Sequence, residues 1–203
     1  TVQCLENHDV VRWDYDERRA RAPRVPALAD PSNPRSWYAR SRSRVATSLL
    51  LSSPGIPMLF MGQEILEDKP WHDDIRFWSQ FLIWWDGLSS DHAMRDFLRF
   101  VTDLIRLRRR HPALSAEGVR IPQVHEGDRV IVMHRWVEGA GRDVVVVGSA
   151  GGGLGHRSRR RQDPSAHLAL SHVDFDGPEP RTTQSVDQGQ PGRPATERED
   201  LGR

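Results

Sequence analysis

Two short apolar runs, separated by one helix-sized segment and each ending in polar residues, constrain the fold of this chain more than any other feature. The first, Thr1-Val2-Gln3-Cys4-Leu5, leads into Glu6, Asn7, His8 and Asp9. The second, Ile56-Pro57-Met58-Leu59-Phe60-Met61, follows a Pro54-Gly55 turn and leads into Gly62, Gln63 and Glu64. Continuous apolar character suits a strand covered on both faces, as in a parallel sheet. Strand, helix and strand in that order make a β-α-β unit, the repeat of a (β/α)8 barrel, in which chemistry gathers at the C-terminal ends of the strands. Asn7, His8 and Asp9 then stand at one strand mouth and Gln63 and Glu64 at the next. Taken alone, the first run also fits a loop in which Asn7 or Asp9 caps the residues that follow.

The segment from Val10 to Pro34 is rich in Arg, Asp and Pro. Its stretch from Val25 to Pro34 is expected to be neither helix nor interior strand, because each Pro removes a donor and restrains the residue before it. A loop of this length after a barrel strand lies on the active-site face and is read as substrate-facing. Asn33-Pro34 is expected to open a helix reaching Ser52, with Trp37, Val45 and Leu49-Leu50-Leu51 biased to one side and Arg40, Arg42 and Arg44 on a solvated face. Ile65 to Gly87 reads as an aromatic loop. Within it, His72, Asp73 and Asp74 are adjacent and no second cluster completes a metal shell, so substrate contact or loop polarity is expected there and no metal or other cofactor.

Ser89-Ser90-Asp91 offers an N-cap, and Met94, Phe97, Leu98, Val101, Leu104, Ile105 and Leu107 follow at helical spacing up to His111. Arg106, Arg108, Arg109 and Arg110 place cations at the end of that helix, where the macrodipole favours them, and this accounts for them without nucleic acid. From about Val119 the period changes to two. Val119–Val124, Arg129–Trp136 and Asp143–Val147 read as antiparallel strands joined by Gly-containing turns. After Ala150 the chain turns Gly-, Arg-, Pro- and Gln-rich and is expected to be disordered or aberrant through residue 203. The expected organisation is therefore a barrel portion over residues 1–114, the start of a small all-β domain over 115–150, and a tail over 151–203.

Lys and Arg number 29 against 28 Asp and Glu, so no global field attracts nucleic acid or an anionic membrane. No apolar run is long enough to span a bilayer, and a cytoplasmic location is the default expectation. The single cysteine, Cys4, lies in the first apolar run and is expected to be a buried packing residue. Of the seven tryptophans, Trp71 lies in the aromatic loop and Trp136 in a strand. A flat indole can stack on a sugar ring, although helix and loop packing accounts for each tryptophan singly.

Asn7-His8-Asp9 after one strand, the run Ser53–Glu64, and Arg109-Arg110-His111-Pro112-Ala113-Leu114 after a later helix together resemble the last two barrel strands and the β-domain junction of the α-amylase clan of glycoside hydrolases. Within that clan the chain is most similar to bacterial 1,4-α-glucan branching enzymes, and the resemblance covers roughly residues 1–149. A barrel of this kind needs about 250 residues, so the resemblance implies a C-terminal fragment. It implies a retaining reaction through two carboxylates, neither of which this chain holds. It makes Asp9 and His8 catalytic, gripping sugar hydroxyls and stabilising the transition state, and it makes Asn7, Gln63, Glu64 and Trp71 substrate-binding. The implied partner is an α-glucan or maltooligosaccharide. The implied reaction is cleavage of an α-1,4 bond with transfer to a 6-hydroxyl, and the alternatives are an amylase-type or trehalose-related hydrolase and a non-catalytic remnant.

Overall fold

The computed structural model describes residues 1–14, 16–20, 22–150 and 168–173. The chain begins with β1 (Val2–Cys4), a two-residue hairpin of β2 (Trp13–Asp14) and β3 (Arg19–Ala20), and helices α1 (Val25–Ala29) and α2 (Trp37–Ser52). Strand β4 (Ile56–Met58) follows, then short helices α3 (Trp78–Phe81) and α4 (Gly87–Ser90), the long helix α5 (His92–Arg110) and the single turn α6 (Pro112–Ser115). Four antiparallel strands close the described chain: β5 (Gly118–His125), β6 (Val130–Trp136), β7 (Asp143–Ser149) and β8 (Leu168–Val173), in that spatial order.

The expected β-α-β unit is present. β1 and β4 are parallel, with Val2 opposite Ile56 and Cys4 opposite Met58, and α2 crosses between them. The strands are shorter than the apolar runs, because β4 stops at Met58 and Phe60 turns inward to become buried. Cys4 is exposed rather than buried. β1 pairs only with β4 among the described residues, so its outer surface is uncovered, as the exposure of Val2 and Ile56 also records.

Two helix starts differ from expectation. Val25–Ala29 is helical despite Pro26, because proline at the first turn lacks only an N–H that has no helical partner there. α2 begins at Trp37, not at Asn33, since the Ser36 side chain accepts the Ala39 N–H and sets the cap. Arg40, Arg42 and Arg44 are half-buried rather than solvated. Arg42 donates to the Ala29 carbonyl at 2.8 Å, and the Arg44 guanidinium lies 5.8 Å from the Phe100 ring centroid.

Helix α5 follows its sequence pattern closely. The Asp91 carboxylate accepts from the N–H groups of Ala93 and Met94, and Met94, Phe97 and Val101 are buried. With Leu51 of α2 and Leu66, the residues Ala93, Phe97 and Val101 form one core; Ala113, Leu114, Met133, Val144 and Val146 form a second beneath the sheet, against Leu49 and Leu107. The helix pair α2 and α5 thus belongs to both cores.

The arginines near the end of α5 do more than complement its dipole. Arg108 donates to the carbonyls of Leu51, Ser53 and Gly55 at 2.7–2.9 Å, and Arg135 of β6 donates to that of Ser52 at 2.5 Å. α2 has no basic residue in its own last turn, so these two side chains supply the donors that its terminal carbonyls need.

The three expected strands are all present, with β5 extended at both ends, β7 extended at its C-terminal end, and a register shift between Arg120 and Gln123, around Pro122. Leu168–Val173 falls in the segment expected to be disordered, yet forms β8 against β7. A six-residue run, Leu168-Ala169-Leu170-Ser171-His172-Val173, is submerged when composition is averaged over the whole segment. The remainder of the expected tail lies outside the described residues.

Candidate active site

At the C-terminal end of β1 the chain turns sharply. The Asn7 side-chain carbonyl accepts from the N–H groups of Asp9 at 3.0 Å and Val10 at 2.9 Å, so the capping alternative is realised, by Asn7 and not by Asp9. This turn directs His8 and Asp9 outward, with His8 Nε2 3.6 Å from Asp9 Oδ1 and side-chain exposures of 62% and 72%. Apart from His8, the Asp9 carboxylate has no partner among the described residues.

Trp71 reaches the same place from the aromatic loop. Its N–H donates to the Val11 carbonyl at 2.9 Å and its carbonyl accepts from Trp13 N–H at 2.8 Å, a short parallel bridge that fastens the loop beside the turn. The indole then meets the His8 ring edge at 5.8 Å and the Phe60 ring at 6.4 Å, with the Arg12 guanidinium 5.8 Å from its centroid. Arg12 is paired with Asp73 at 2.9 Å, and this guanidinium holds the Asp73 carboxyl below its usual range. Asp74 is pushed down to about 2 by its hydrogen bonds with Arg76. His72–Asp74 is thus occupied with shaping the loop, and among the described residues no group of three or more His, Cys, Asp or Glu could hold a metal ion.

Of the other expected site residues, Gln63 is buried. Its side-chain carbonyl accepts the Phe60 N–H at 3.3 Å, and its amide nitrogen has no protein partner. The physical reason is the tight 3₁₀ turn Gln63–Ile65 that follows Gly62, whose φ of 84° suits glycine. A Cβ at Gly62 would also stand 2.7 Å from the Cβ of Glu67. Glu64 is half-buried on the same turn.

Beneath the turn lies a group of charges that sequence reading missed. Glu6 and Arg24 are both about 2% exposed and paired at 3.1 Å. Arg24 also donates to the Met61 carbonyl at 2.7 Å and lies over the Phe60 ring, while the second Glu6 oxygen accepts the Val25 N–H at 2.7 Å. The pair therefore ties the end of β1 to the segment after β4 and to the start of α1. Burial pushes the Glu6 carboxyl up, against the opposing pull of Arg24 and the Val25 N–H. Buried Glu67 accepts from the N–H groups of Asp68, Lys69 and Trp84, which folds the aromatic loop back on itself. The only signal in the sequence was a carboxylate directly before Asn7. Nothing local names its partner 18 residues away.

No protein-family profile matches the chain. The α-amylase MalA of Haloarcula japonica is 36% identical over 146 residues, which cover 70% of this chain. The chain is a relative of the α-amylase family. A glycogen debranching enzyme of Yersinia pseudotuberculosis is 34% identical over 82 residues, 40% of this chain. The match spans only 17% of the length of the first relative and 12% of the second. Among solved structures, an AmyP variant in complex with maltotriose superposes with a TM-score of 0.53 at 21% identity, covering 73% of this chain and 30% of that one. The type III pullulan hydrolase from Thermococcus kodakarensis gives 0.51 at 23% identity, covering 72% and 22%. The chain thus shares its fold with part of the α-amylase family's barrel enzymes, including stretches of antiparallel sheet.

Proposed function

We propose that this chain is part of an enzyme that cleaves α-1,4-linked glucans or maltooligosaccharides, and that His8, Asp9 and Trp71 are its contacts with the sugar at the cleaved bond. The observation that carries the reading is the outward turn at β1: two polar side chains without structural duties stand beside an aromatic ring at a strand mouth, above a buried ion pair that fixes their backbone. A carboxylate there can grip sugar hydroxyls, which become more acidic as positive charge grows on the ring, so Asp9 binds the transition state better than the ground state. His8, 3.6 Å away, can donate to the same substrate. Asn7 orients both through the backbone, Glu64 lies on the neighbouring rim, and Gln63 supports the rim from inside. The nucleophile and acid/base of a retaining reaction come, in this reading, from strands outside residues 1–203.

Hydrolysis is favoured over transfer to a 6-hydroxyl, because the relative that aligns over 146 residues, 70% of this chain, is an amylase. Branching rests on motif resemblance alone. A chimera in which this chain replaces the aligned segment of that amylase tests the reading. Folded chimera that releases reducing ends from amylose supports it, new 1,6 linkages without net hydrolysis favour branching, and a folded chimera with no turnover counts against both.

A further inference from the structure

The sheet carries a second concavity, sharing no residue with the strand mouth, of about 440 Å³ and lined by Arg120, His134, Trp136, Glu138 and Asp143 together with the turn after β6. That volume falls within the range of small-ligand sites. Its aromatic wall is rigid. A Cβ at Gly118 would stand 2.9 Å from the indole carbons of Trp136, so the ring lies directly on bare backbone. Its N–H donates to the Glu138 carboxylate at 3.2 Å, and the His134 ring sits beside it, 5.1 Å between centroids. His134 Nε2 is 2.7 Å from Asp143 Oδ2, with both side chains 18% exposed, which fixes a polar wall next to the aromatic one.

The lining has one guanidinium, two carboxylates and an imidazole, so it presents no field suited to a polyanion, and it lacks a ligand set for a metal among the described residues. A fixed indole face beside mixed donors and acceptors is complementary to a ring that is apolar on its face and hydroxylated at its edge. We propose that this concavity is a second saccharide-binding site, separate from the proposed catalytic mouth, with Trp136 as the stacking platform and Asp143, Glu138 and Arg120 as hydroxyl partners. That the saccharide is an α-1,4-glucan rests on the proposed function; that it is a saccharide does not.

The test uses the whole chain. Its indole N–H resonances are followed by NMR during titration with maltoheptaose and, separately, cellohexaose, and the Trp136 signal is assigned by its loss in Trp136→Phe. Saturable movement of the Trp136 signal, weakened at least about tenfold in an Asp143→Asn chain that melts like the parent, supports the site. Movement with cellohexaose alone supports the site and counts against the glucan reading of function. Movement of Trp71 without Trp136 supports the catalytic mouth and overturns this proposal, as does a still Trp136 signal with both sugars or an unchanged affinity in Asp143→Asn.

Discussion

Arg135→Met is the perturbation whose size follows most directly from the structure. The side chain is fully buried and donates to three main-chain carbonyls, those of Gly118, Ser52 and Ala116. It joins the β-sheet to the end of α2 across 83 residues of sequence. Methionine fills similar volume but leaves three acceptors without a donor, at roughly 1–3 kcal/mol each. Part of that loss is returned, because desolvation, with the nearby Arg108 charge, pushes the Arg135 guanidinium down to about 10. Relieving that burden is worth about 3 kcal/mol. At about 2 kcal/mol for each bare acceptor, the net destabilisation is about 3 kcal/mol, which for a chain of this size lowers Tm by roughly 6–12 °C. Thermal melts by circular dichroism at neutral pH read this directly, with Arg99→Met on the exposed face of α5 as the control that should barely shift. Arg135→Lys, which keeps the charge but not the planar fork, should fall between. An Arg135→Met chain melting within about 2 °C of the parent refutes the reasoning.

Glu6→Leu leaves Arg24 buried with neither a counter-charge nor an acceptor at that position and should cost about 3–5 kcal/mol in a denaturant titration, whereas a change under about 0.5 kcal/mol contradicts the tie between the two strand ends. Because the folded carboxyl of Glu6 lies above 4.5, the native state holds its proton to higher pH than the unfolded chain. The Glu6 contribution to stability therefore declines as pH rises from about 4.5 through the folded value, and Glu6→Gln should remove that slope. Asp74 has the opposite sign: its contribution is present above 3.8 and disappears as pH falls through about 2, so its side-chain carbon should titrate near 2 by NMR and not near 3.8. Asn7→Ala should destabilise the turn by about 1 kcal/mol, measured by amide exchange at Asp9 and Val10, and unchanged exchange there would contradict the cap.

What was legible in the sequence is what local chemistry dictates. Asp91 and the apolar spacing after it are enough to place α5, and the β-branched runs Val130-Ile131-Val132 and Val144–Val147 are enough for β6 and β7. The parallel pair β1 and β4 followed from two apolar runs with a helix-length gap. Local rules failed where a residue's role is set by a distant partner. Arg108 reads as a dipole-complementing residue of its own helix but serves the end of α2. Glu6 reads as the edge of a polar cluster but is paired with Arg24, and Pro26 reads as a helix breaker although it occupies the one turn that tolerates it. At the candidate site, Trp71 stands beside His8 and Asp9 through a backbone bridge from Trp71 to Val11 and Trp13 that no motif encodes. Gln63 reads as a residue of the strand mouth, and the structure buries it on the tight turn that its neighbour Gly62 permits.

If Asp9 faces substrate and does no structural work, Asp9→Asn in the amylase chimera should impair turnover and leave stability alone. The substitution keeps size and hydrogen-bonding capacity and removes only the charge. The expected result is an unchanged melting temperature and a single-turnover rate on maltoheptaose reduced by at least about a hundredfold, the scale of losing one transition-state contact. An Asp9→Asn chimera with the parent rate, or one whose melting temperature falls while its rate holds, would contradict it.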